Sequence, residues 1–165
     1  MPNPTYRHLG DHTETVDIEF NPDETSYEDL LKMFWKNHDP TTQHKRQYMS
    51  AIFFHGEEQR TQAERSRDEL QKMLARPIAT VIAKAETFYE AEDYHQKYML
   101  RQYPQLISAL KLTDSELIKS SVAARLNGYI GGFGSVEAFN AEKKAFGLSP
   151  DLLELVRRKI NSRMA

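Results

Sequence analysis

Apolar and polar residues alternate along TVDIEF at 15–20, and a period of two is typical of a β-strand with one buried face. Two continuous apolar runs, MSAIFFH at 49–55 and IATVIAKA at 78–85, are rich in branched and aromatic side chains, which favour strands. The pattern therefore predicts a sheet of three strands over the first half of the chain.

Helical spacing of apolar residues fills the intervals between these strands. One helix is predicted between the capping pattern TSYE at 25–28 and the sequence HDP at 38–40, where proline ends it. A second stretch, 57–76, is heavily charged with a thin apolar stripe, which indicates a solvated helix that ends before Pro77. Strands that alternate with helices predict an α/β fold in which helices pack on a sheet.

After residue 91 every periodic stretch is helical. Thr113 and Glu116 form a capping-box pattern, and Ser149-Pro150 is typical of an N-cap followed by a first-turn proline. The glycines of GYIGGFGS, at 128–135, follow no predicted strand and precede no Lys-Ser/Thr pair, so they do not match a phosphate-binding loop. We interpret Gly128 as the residue that ends a helix. The chain is thus predicted to close with an all-helical part.

Composition and charge narrow the possible functions. The 165 residues carry 22 Lys and Arg against 24 Asp and Glu, which gives no electrostatic reason to expect nucleic acid or a membrane as a partner. No apolar run approaches the roughly 20 residues of a membrane span, and MPNPTYRHLG lacks the apolar core of a signal peptide, so we expect a cytoplasmic protein. The chain has no cysteine, so it contains neither a disulfide nor a thiolate nucleophile.

Four separated blocks of sequence resemble one enzyme family. They are PNPTYRHLGDHTETVDIEFNP at 2–22, FWKNHDPTTQ at 34–43, QYMSAIFFH at 47–55 and FYEAEDYHQKYML at 88–100. In this order they resemble the peptide-methionine (S)-S-oxide reductase family, methionine sulfoxide reductase A. The resemblance implies a domain over residues 1–103, a ferredoxin-like α+β sandwich that lacks its first strand-helix unit. Residues 104–165 are then expected to form a helical C-terminal extension.

The family's chemistry implies a role for Glu14. A thiolate attacks the sulfoxide sulfur, and the departing oxygen must be protonated because an oxide anion is a poor leaving group. The family's proton donor is a buried glutamate, which Glu14 matches. Burial raises the pKa of a carboxyl group by penalising its charged form, so a proton stays available near neutral pH.

The same resemblance implies the oxygen-binding groups and the reaction partners. Tyr6 and Tyr48 match two tyrosines that donate hydrogen bonds to the sulfoxide oxygen without adding a charge. The resemblance implies no bound cofactor or metal. The reductant is expected to be thioredoxin or another thiol, and the substrates to be free methionine sulfoxide and proteins or peptides that contain it.

The chain departs from the family in two places. The family's nucleophile is a cysteine in a Gly-Cys-Phe-Trp segment upstream of the tyrosine block, and the sequence contains no such segment. The stretch TTQHKRQ at 41–47 is shorter than the family's usual loop and lacks the aspartate commonly found there. We expect the purified chain not to reduce methionine sulfoxide with dithiothreitol or thioredoxin, because no ordinary side chain replaces a thiolate as a nucleophile toward sulfur.

Three functional hypotheses remain open. The chain is a reductase whose N-terminal segment is absent, or a cysteine-free, non-catalytic relative that binds methionine or a partner. In the third hypothesis only the fold is shared, and the helical part has an unrelated interaction function. A start at Met1, directly before a site block, favours the first hypothesis.

Each of several histidines can be interpreted as a structural or as a functional residue. His8 and His12 have a spacing that suits zinc only on a helix, and the surrounding turn and strand signals disfavour a helix there. We interpret His38-Asp39-Pro40 as a helix stop with a polar turn and not as a catalytic dyad, because no nucleophile accompanies it.

Overall fold

The structure, a computed structural model, describes residues 13–161. The chain divides into two compact units, Met1–Glu90 and Ala91–Ala165. The described part of the first unit contains helices and a small sheet, and the described part of the second is helical. The predicted mixed α/β fold with a helical C-terminal part is therefore confirmed.

A parallel pair of strands organises the first unit. Ala51 lies opposite Val81 and Phe54 lies opposite Lys84, and a long helix makes the crossover that parallel strands require. The elements of this unit are helix α1 (Tyr27–Lys36), a 3₁₀ turn (Arg46–Tyr48), strand β1 (Ala51–Phe54), helix α2 (Glu57–Gln71) and strand β2 (Val81–Lys84).

Helix α1 begins and ends where the sequence predicts. The Ser26 hydroxyl accepts a hydrogen bond from the backbone N–H of Asp29 at 3.1 Å, which satisfies one of the unpaired donors of the first turn. The helix ends at its C-cap Asn37, three residues before Pro40. Its inner face buries Leu31, and the indole N–H of Trp35 donates to the Ser66 hydroxyl of α2 at 3.0 Å.

The predicted strand at 15–20 is wrong. This stretch is irregular, and Val16 and Ile18 are 79% and 56% exposed. Alternating polarity reports which side chains favour burial, but a strand forms only where a neighbour takes its backbone hydrogen bonds. Among the described residues the sheet consists of β1 and β2 alone, so no neighbouring strand is present for this segment. The other two predicted strands are confirmed, each shorter than its apolar run.

Short helices build the second unit. A single cluster of buried apolar side chains receives at least one residue from each of them, including Leu100, Leu126, Phe139 and Val156. The helices described in this unit are α3 (Tyr98–Arg101), α4 (Pro104–Leu110), α5 (Asp114–Lys119), α6 (Ser121–Ile130), α7 (Val136–Glu142), a 3₁₀ helix (Lys143–Phe146) and α8 (Pro150–Asn161).

Two of the predicted helix boundaries are confirmed and one is wrong. Thr113 and Glu116 form the predicted capping box, and Pro150 is the first residue of α8. Gly128 does not end a helix, because α6 continues past it to Ile130. Tyr129 and Ile130 are only 3% and 5% exposed, so burial of these two side chains carries the helix beyond the glycine.

A buried tyrosine fixes the connection between α6 and α7. The Tyr129 hydroxyl donates to the Glu142 carboxylate, which also accepts from Arg125 Nε at 2.9 Å. The Arg125 hydrogen bonds hold the pKa of the Glu142 carboxyl below its ordinary value. Gly134, at φ +81°, packs so closely on the Tyr129 ring that an added Cβ would lie 2.8 Å from Cε1. Only glycine fits this approach without a shift of the ring or the backbone.

Candidate functional site

Glu14 is held against the 3₁₀ turn that precedes β1. Its backbone N–H donates to the Gln47 carbonyl oxygen at 2.9 Å, and the Gln47 side-chain amide donates to Glu14 Oε1 at 2.9 Å. One residue earlier, the Thr13 hydroxyl donates to the Arg46 carbonyl oxygen at 3.1 Å. These contacts fix the carboxylate beside a segment more than thirty residues away in the sequence.

Tyr48 is the last residue of the same turn. Its backbone N–H donates to the Lys45 carbonyl oxygen at 2.9 Å, and its side chain is 54% exposed. Tyr48 directly follows Gln47, the residue that binds Glu14 through both its backbone and its side chain. The turn therefore brings the backbones of Glu14 and Tyr48 close together.

The structure departs from the expected surroundings of the carboxyl group. The resemblance implies a buried glutamate, whereas Glu14 is exposed. Tyr6, His8 and His12 lie outside the described residues. Among the three predicted site residues, the structure thus describes Glu14 and Tyr48.

A partly buried chain of polar side chains includes Ser50, which lies two residues after this turn. His38 Nε2 is 2.7 Å from the Ser50 hydroxyl, which is 2.8 Å from the hydroxyl of Thr80, a residue only 7% exposed. Sequence reasoning assigned His38 only to a helix stop. A signal was available, because Ser50 and Thr80 are the polar residues that immediately precede the apolar cores of the two predicted strands.

Asp39 organises the polar turn that follows α1. It accepts hydrogen bonds from the Thr41 hydroxyl at 2.7 Å and from the Thr41 backbone N–H at 2.9 Å. The Thr42 hydroxyl and Arg76 donate to its other oxygen. These donors, above all the Thr41 hydroxyl, hold the pKa of the Asp39 carboxyl well below its usual range. The predicted role of this sequence as a turn is confirmed, and the turn leads into the segment that carries Tyr48.

A separate groove of about 410 Å³ lies between α1 and α2. Leu31, Trp35, Leu70 and Met73 give it an apolar lining, and Glu28 and Arg65 form an ion pair at its wall. Neither Glu14 nor Tyr48 lines it. The groove is therefore distinct from the predicted site.

Neither a cluster of metal-ligating side chains nor a membrane-spanning helix is found among the described residues. No cluster of three or more His, Asp or Glu side chains in this part of the chain is arranged to hold a metal ion. None of the helices described is long and apolar enough to cross a membrane. What the Glu14 turn supplies is a carboxyl group and a phenol, which can donate protons or hydrogen bonds to an oxygen atom.

Two family descriptions match the sequence. The family described as "Peptide methionine sulfoxide reductase" matches residues 1–126. The family described as "Selenoprotein methionine sulfoxide reductase A, helical domain" matches residues 111–161. The first match includes the Glu14 turn, and the second includes helices α5 to α8.

Curated relatives carry the same name. A peptide methionine sulfoxide reductase of Drosophila melanogaster is 47% identical over 150 residues, which are 89% of this chain and 61% of the fly protein. The MsrA protein of Methanococcus maripaludis is 43% identical over 116 residues, 64% of this chain and 74% of the relative. Peptide methionine sulfoxide reductase A5 of Arabidopsis thaliana is 38% identical over 135 residues, 77% of this chain and 53% of the relative. The chain thus spans about three fifths of the fly protein's length.

Proposed function

We propose that this chain, which belongs to the peptide methionine sulfoxide reductase family, supplies the oxygen-binding side of a site that reduces methionine S-sulfoxide. In this proposal Glu14 is the proton donor, and Tyr6 and Tyr48 donate hydrogen bonds to the sulfoxide oxygen. The sulfur nucleophile is not among the 165 residues, which contain no cysteine.

One observation carries the proposal. Glu14 and Tyr48 are far apart in the sequence, yet Gln47 holds Glu14 by two hydrogen bonds of 2.9 Å directly beside Tyr48. A carboxyl and a phenol that act on one oxygen atom have to be placed together before the ligand arrives. The fixed contact between the two segments supports that arrangement.

The reaction explains why such groups are useful. A sulfoxide and two thiols give a sulfide, a disulfide and water, so the oxygen leaves the sulfur with two protons. Negative charge develops on that oxygen as the sulfur is attacked, and donors already in place stabilise it. The carboxyl group supplies a proton, and each phenol supplies a hydrogen bond without a charge of its own.

The exposure of Glu14 sets a further requirement. A general acid works best when its pKa lies near the working pH, and for a carboxyl group this requires burial or a nearby negative charge. Glu14 is exposed among the described residues. In our proposal the bound sulfoxide covers it, so that water is excluded when the chemistry takes place.

The partners and organisation follow from the same proposal. Family membership indicates a thiol-dependent oxidoreductase, and we propose thioredoxin or another thiol as reductant and oxidised methionine in proteins as substrate. A role in protein repair under oxidative stress, in the cytoplasm, is part of this proposal. We also propose that residues 1–103 carry the site and that residues 104–165 form a helical extension. The match of a helical-domain description to residues 111–161 supports that extension.

Binding can be tested on the chain as it is. The S and R epimers of N-acetylmethionine sulfoxide are titrated into the ¹⁵N-labelled protein, and amide shifts are followed by NMR. We expect the S epimer to shift the amides of Glu14, Gln47 and Tyr48, and Glu14→Gln and Tyr48→Phe to weaken its binding. Glu19→Gln, which alters an exposed carboxylate in the same segment, is the matched control. Equal shifts with both epimers, or binding unchanged in Glu14→Gln and Tyr48→Phe, would contradict the assignment.

Catalysis is tested in a chain extended by a family segment that contains Gly-Cys-Phe-Trp. Glu14→Gln keeps the shape but cannot deliver an acidic proton, so single-turnover reduction should slow by on the order of 10²–10⁴. Tyr6→Phe or Tyr48→Phe alone should cost less, since the other phenol still donates, and the double change should cost more than either. An unchanged rate and pH profile in Glu14→Gln would make this carboxylate structural.

The absence of cysteine supports one alternative function. The chain binds methionine sulfoxide or a partner and does not reduce it. Turnover of the unextended chain with dithiothreitol above a no-protein control would exclude this alternative. Stereospecific binding without turnover by the extended chain would favour it.

A further inference from the structure

His38 occupies a fixed position just after α1. Its ring is half-buried, 4.5 Å from the Phe34 ring and stacked at 6.3 Å on Trp35, measured between centroids. Aromatic neighbours on the preceding turn of the helix restrict the ring to one orientation. His38 thus projects its two nitrogens in defined directions.

Both ring nitrogens are engaged. Nδ1 lies 2.8 Å from the Phe34 carbonyl oxygen, and since a carbonyl only accepts, Nδ1 carries a proton and donates it. Nε2 lies 2.7 Å from the Ser50 hydroxyl, which can donate to the ring or accept from it. The Ser50 hydroxyl continues at 2.8 Å to the buried Thr80 hydroxyl. The imidazole therefore connects the end of α1 to the residues that precede both strands.

Ser50 transmits this connection to the predicted site. Its carbonyl oxygen accepts from the Val81 N–H at 3.0 Å, so its backbone belongs to the start of the sheet. It also lies two residues after Tyr48, and only Met49 separates it from the 3₁₀ turn that holds Glu14. A shift of Ser50 moves the end of that turn.

We propose that His38, acting through Ser50 and Thr80, is a positioning residue that sets the 3₁₀ turn and thereby the juxtaposition of Glu14 and Tyr48. The importance of this role for catalysis rests on the function proposed above. The effect of His38 on the positions of Glu14 and Tyr48 does not, because it can be measured without a ligand. Loss of the Nε2 contact leaves the partly buried Ser50 hydroxyl with Thr80 as its remaining partner among the described residues, and the segment around Ser50 shifts to replace the lost hydrogen bond.

The two amide isosteres of histidine separate the contributions of its nitrogens. Asparagine places a polar group near the position of Nδ1, whereas glutamine reaches the position of Nε2. The reporter is hydrogen exchange of the Glu14 amide, which donates to the Gln47 carbonyl oxygen. We expect His38→Asn to accelerate this exchange about tenfold and His38→Gln to stay within about threefold of the parent chain.

Matched controls exclude a general loss of stability. Asn37→Ala removes a side-chain contact to the carbonyl four residues earlier, 2.7 Å long and adjacent to His38 but outside the Ser50 chain. It should leave the Glu14 amide unchanged. The Ala85 amide, which donates to the Phe54 carbonyl at the far end of the sheet, reports opening of the sheet itself. Thr80→Val keeps the shape of the buried side chain without its hydroxyl and should reproduce the effect of His38→Asn in part.

The outcomes decide the proposal separately from the proposed function. Faster exchange at Glu14 but not at Ala85, rescued by His38→Gln, supports the positioning role even if no sulfoxide binds. Equal acceleration at both amides would overturn it and make His38 a general stability residue. If His38→Asn does not fold, Thr80→Val decides, and an unchanged Glu14 amide in that variant overturns the proposal.

Discussion

The two compact units are stabilised by different kinds of interaction. The described part of the second unit has a cluster of eleven buried apolar side chains to which every helix contributes. The corresponding cluster in the first unit has three, Leu31, Ile52 and Ala63, with four partly buried neighbours. The first unit instead relies on polar contacts, such as the His38 chain and the Asp39 turn, and it carries Glu14 on an irregular segment and Tyr48 on a 3₁₀ turn. Apolar packing is the main stabilising interaction in the second unit, where no site is proposed, and hydrogen bonds are more prominent around the candidate site in the first unit.

The largest effect is expected from the packed cluster of the second unit. Phe139 is 1% exposed, and Phe139→Ala should destabilise the protein by roughly 3–5 kcal/mol through lost burial and a cavity. Phe139→Leu keeps most of the volume and should cost about 1 kcal/mol. Urea unfolding followed by far-ultraviolet circular dichroism measures both. A small cost for Phe139→Ala would mean that this cluster is loosely packed and that the contrast between the units is overstated.

Substitution of Gly134 and of Gly147 separates the cost of close packing from the cost of backbone strain. Gly134→Ala combines a left-handed φ with a Cβ 2.8 Å from the Tyr129 ring, and it should destabilise by roughly 2–4 kcal/mol. Gly147 has a similar φ of +65° but no atom within 4 Å of an added Cβ, so Gly147→Ala should cost only about 1 kcal/mol. Thermal unfolding of the two variants compares them directly. Equal costs would assign the whole effect to the backbone.

Glu142 brings a polar contact into the second unit, and its contribution should depend on pH. Arg125 lowers the pKa of this carboxyl in the folded state, so the unfolded chain binds its proton more readily. The stabilisation is therefore present above the ordinary glutamate pKa of about 4.3 and is lost as the pH falls through the lower folded value.

Removing that carboxylate measures the effect. Glu142→Gln should cost about 1 kcal/mol at pH 7, a value reduced by solvent screening, and progressively less below pH 5 or so. Urea unfolding at several pH values, with the exposed Glu137→Gln as control, gives the profile. A constant difference between parent and Glu142→Gln from pH 7 to pH 3 would rule out a role of the ionised form.

The smallest effect is expected in the irregular segment 15–20 of the first unit. Ile18 is 56% exposed, and Ile18→Ala should change stability by less than about 0.5 kcal/mol. The same substitution at Ile52, which is 8% exposed in β1, should cost roughly 2–5 kcal/mol. Fluorescence of Trp35, the single tryptophan, follows unfolding of this unit. A large cost at Ile18 would show that 15–20 pairs as a strand after all.

Prediction from sequence succeeded where the signal is local. The start of α1 follows from the Ser26 cap, and the start of α5 follows from the Thr113 capping box. β1 and β2 lie within the two apolar runs because branched and aromatic residues favour strands.

Prediction failed where the outcome depends on distant groups. The segment 15–20 has the polarity of a strand but no neighbouring strand among the described residues. Gly128 looks like a helix stop until the burial of Tyr129 and Ile130 is taken into account.

The candidate site shows the same division. The resemblance of the sequence blocks to the family selected Glu14 and Tyr48, and the binding and rate measurements proposed above test their roles. The contact of Glu14 with Gln47 and that of His38 with Ser50 join separate segments. A local pattern can mark a polar residue such as Ser50, but it does not show which residue is its partner. The exposure of Glu14 likewise depends on what surrounds it in three dimensions.

The parallel pairing of β1 and β2 has a kinetic consequence. Ala51 and Val81 are thirty residues apart, and their pairing requires closure of a long loop before any ladder bond forms. The hydrogen bonds within the short helices of the second unit instead connect residues a few positions apart, and such contacts form rapidly. We therefore expect the sheet, and the 3₁₀ turn that precedes β1, to form late in folding. Glu14 and Tyr48, which we propose to contact the sulfoxide oxygen, would then be among the last residues to reach their native positions during folding.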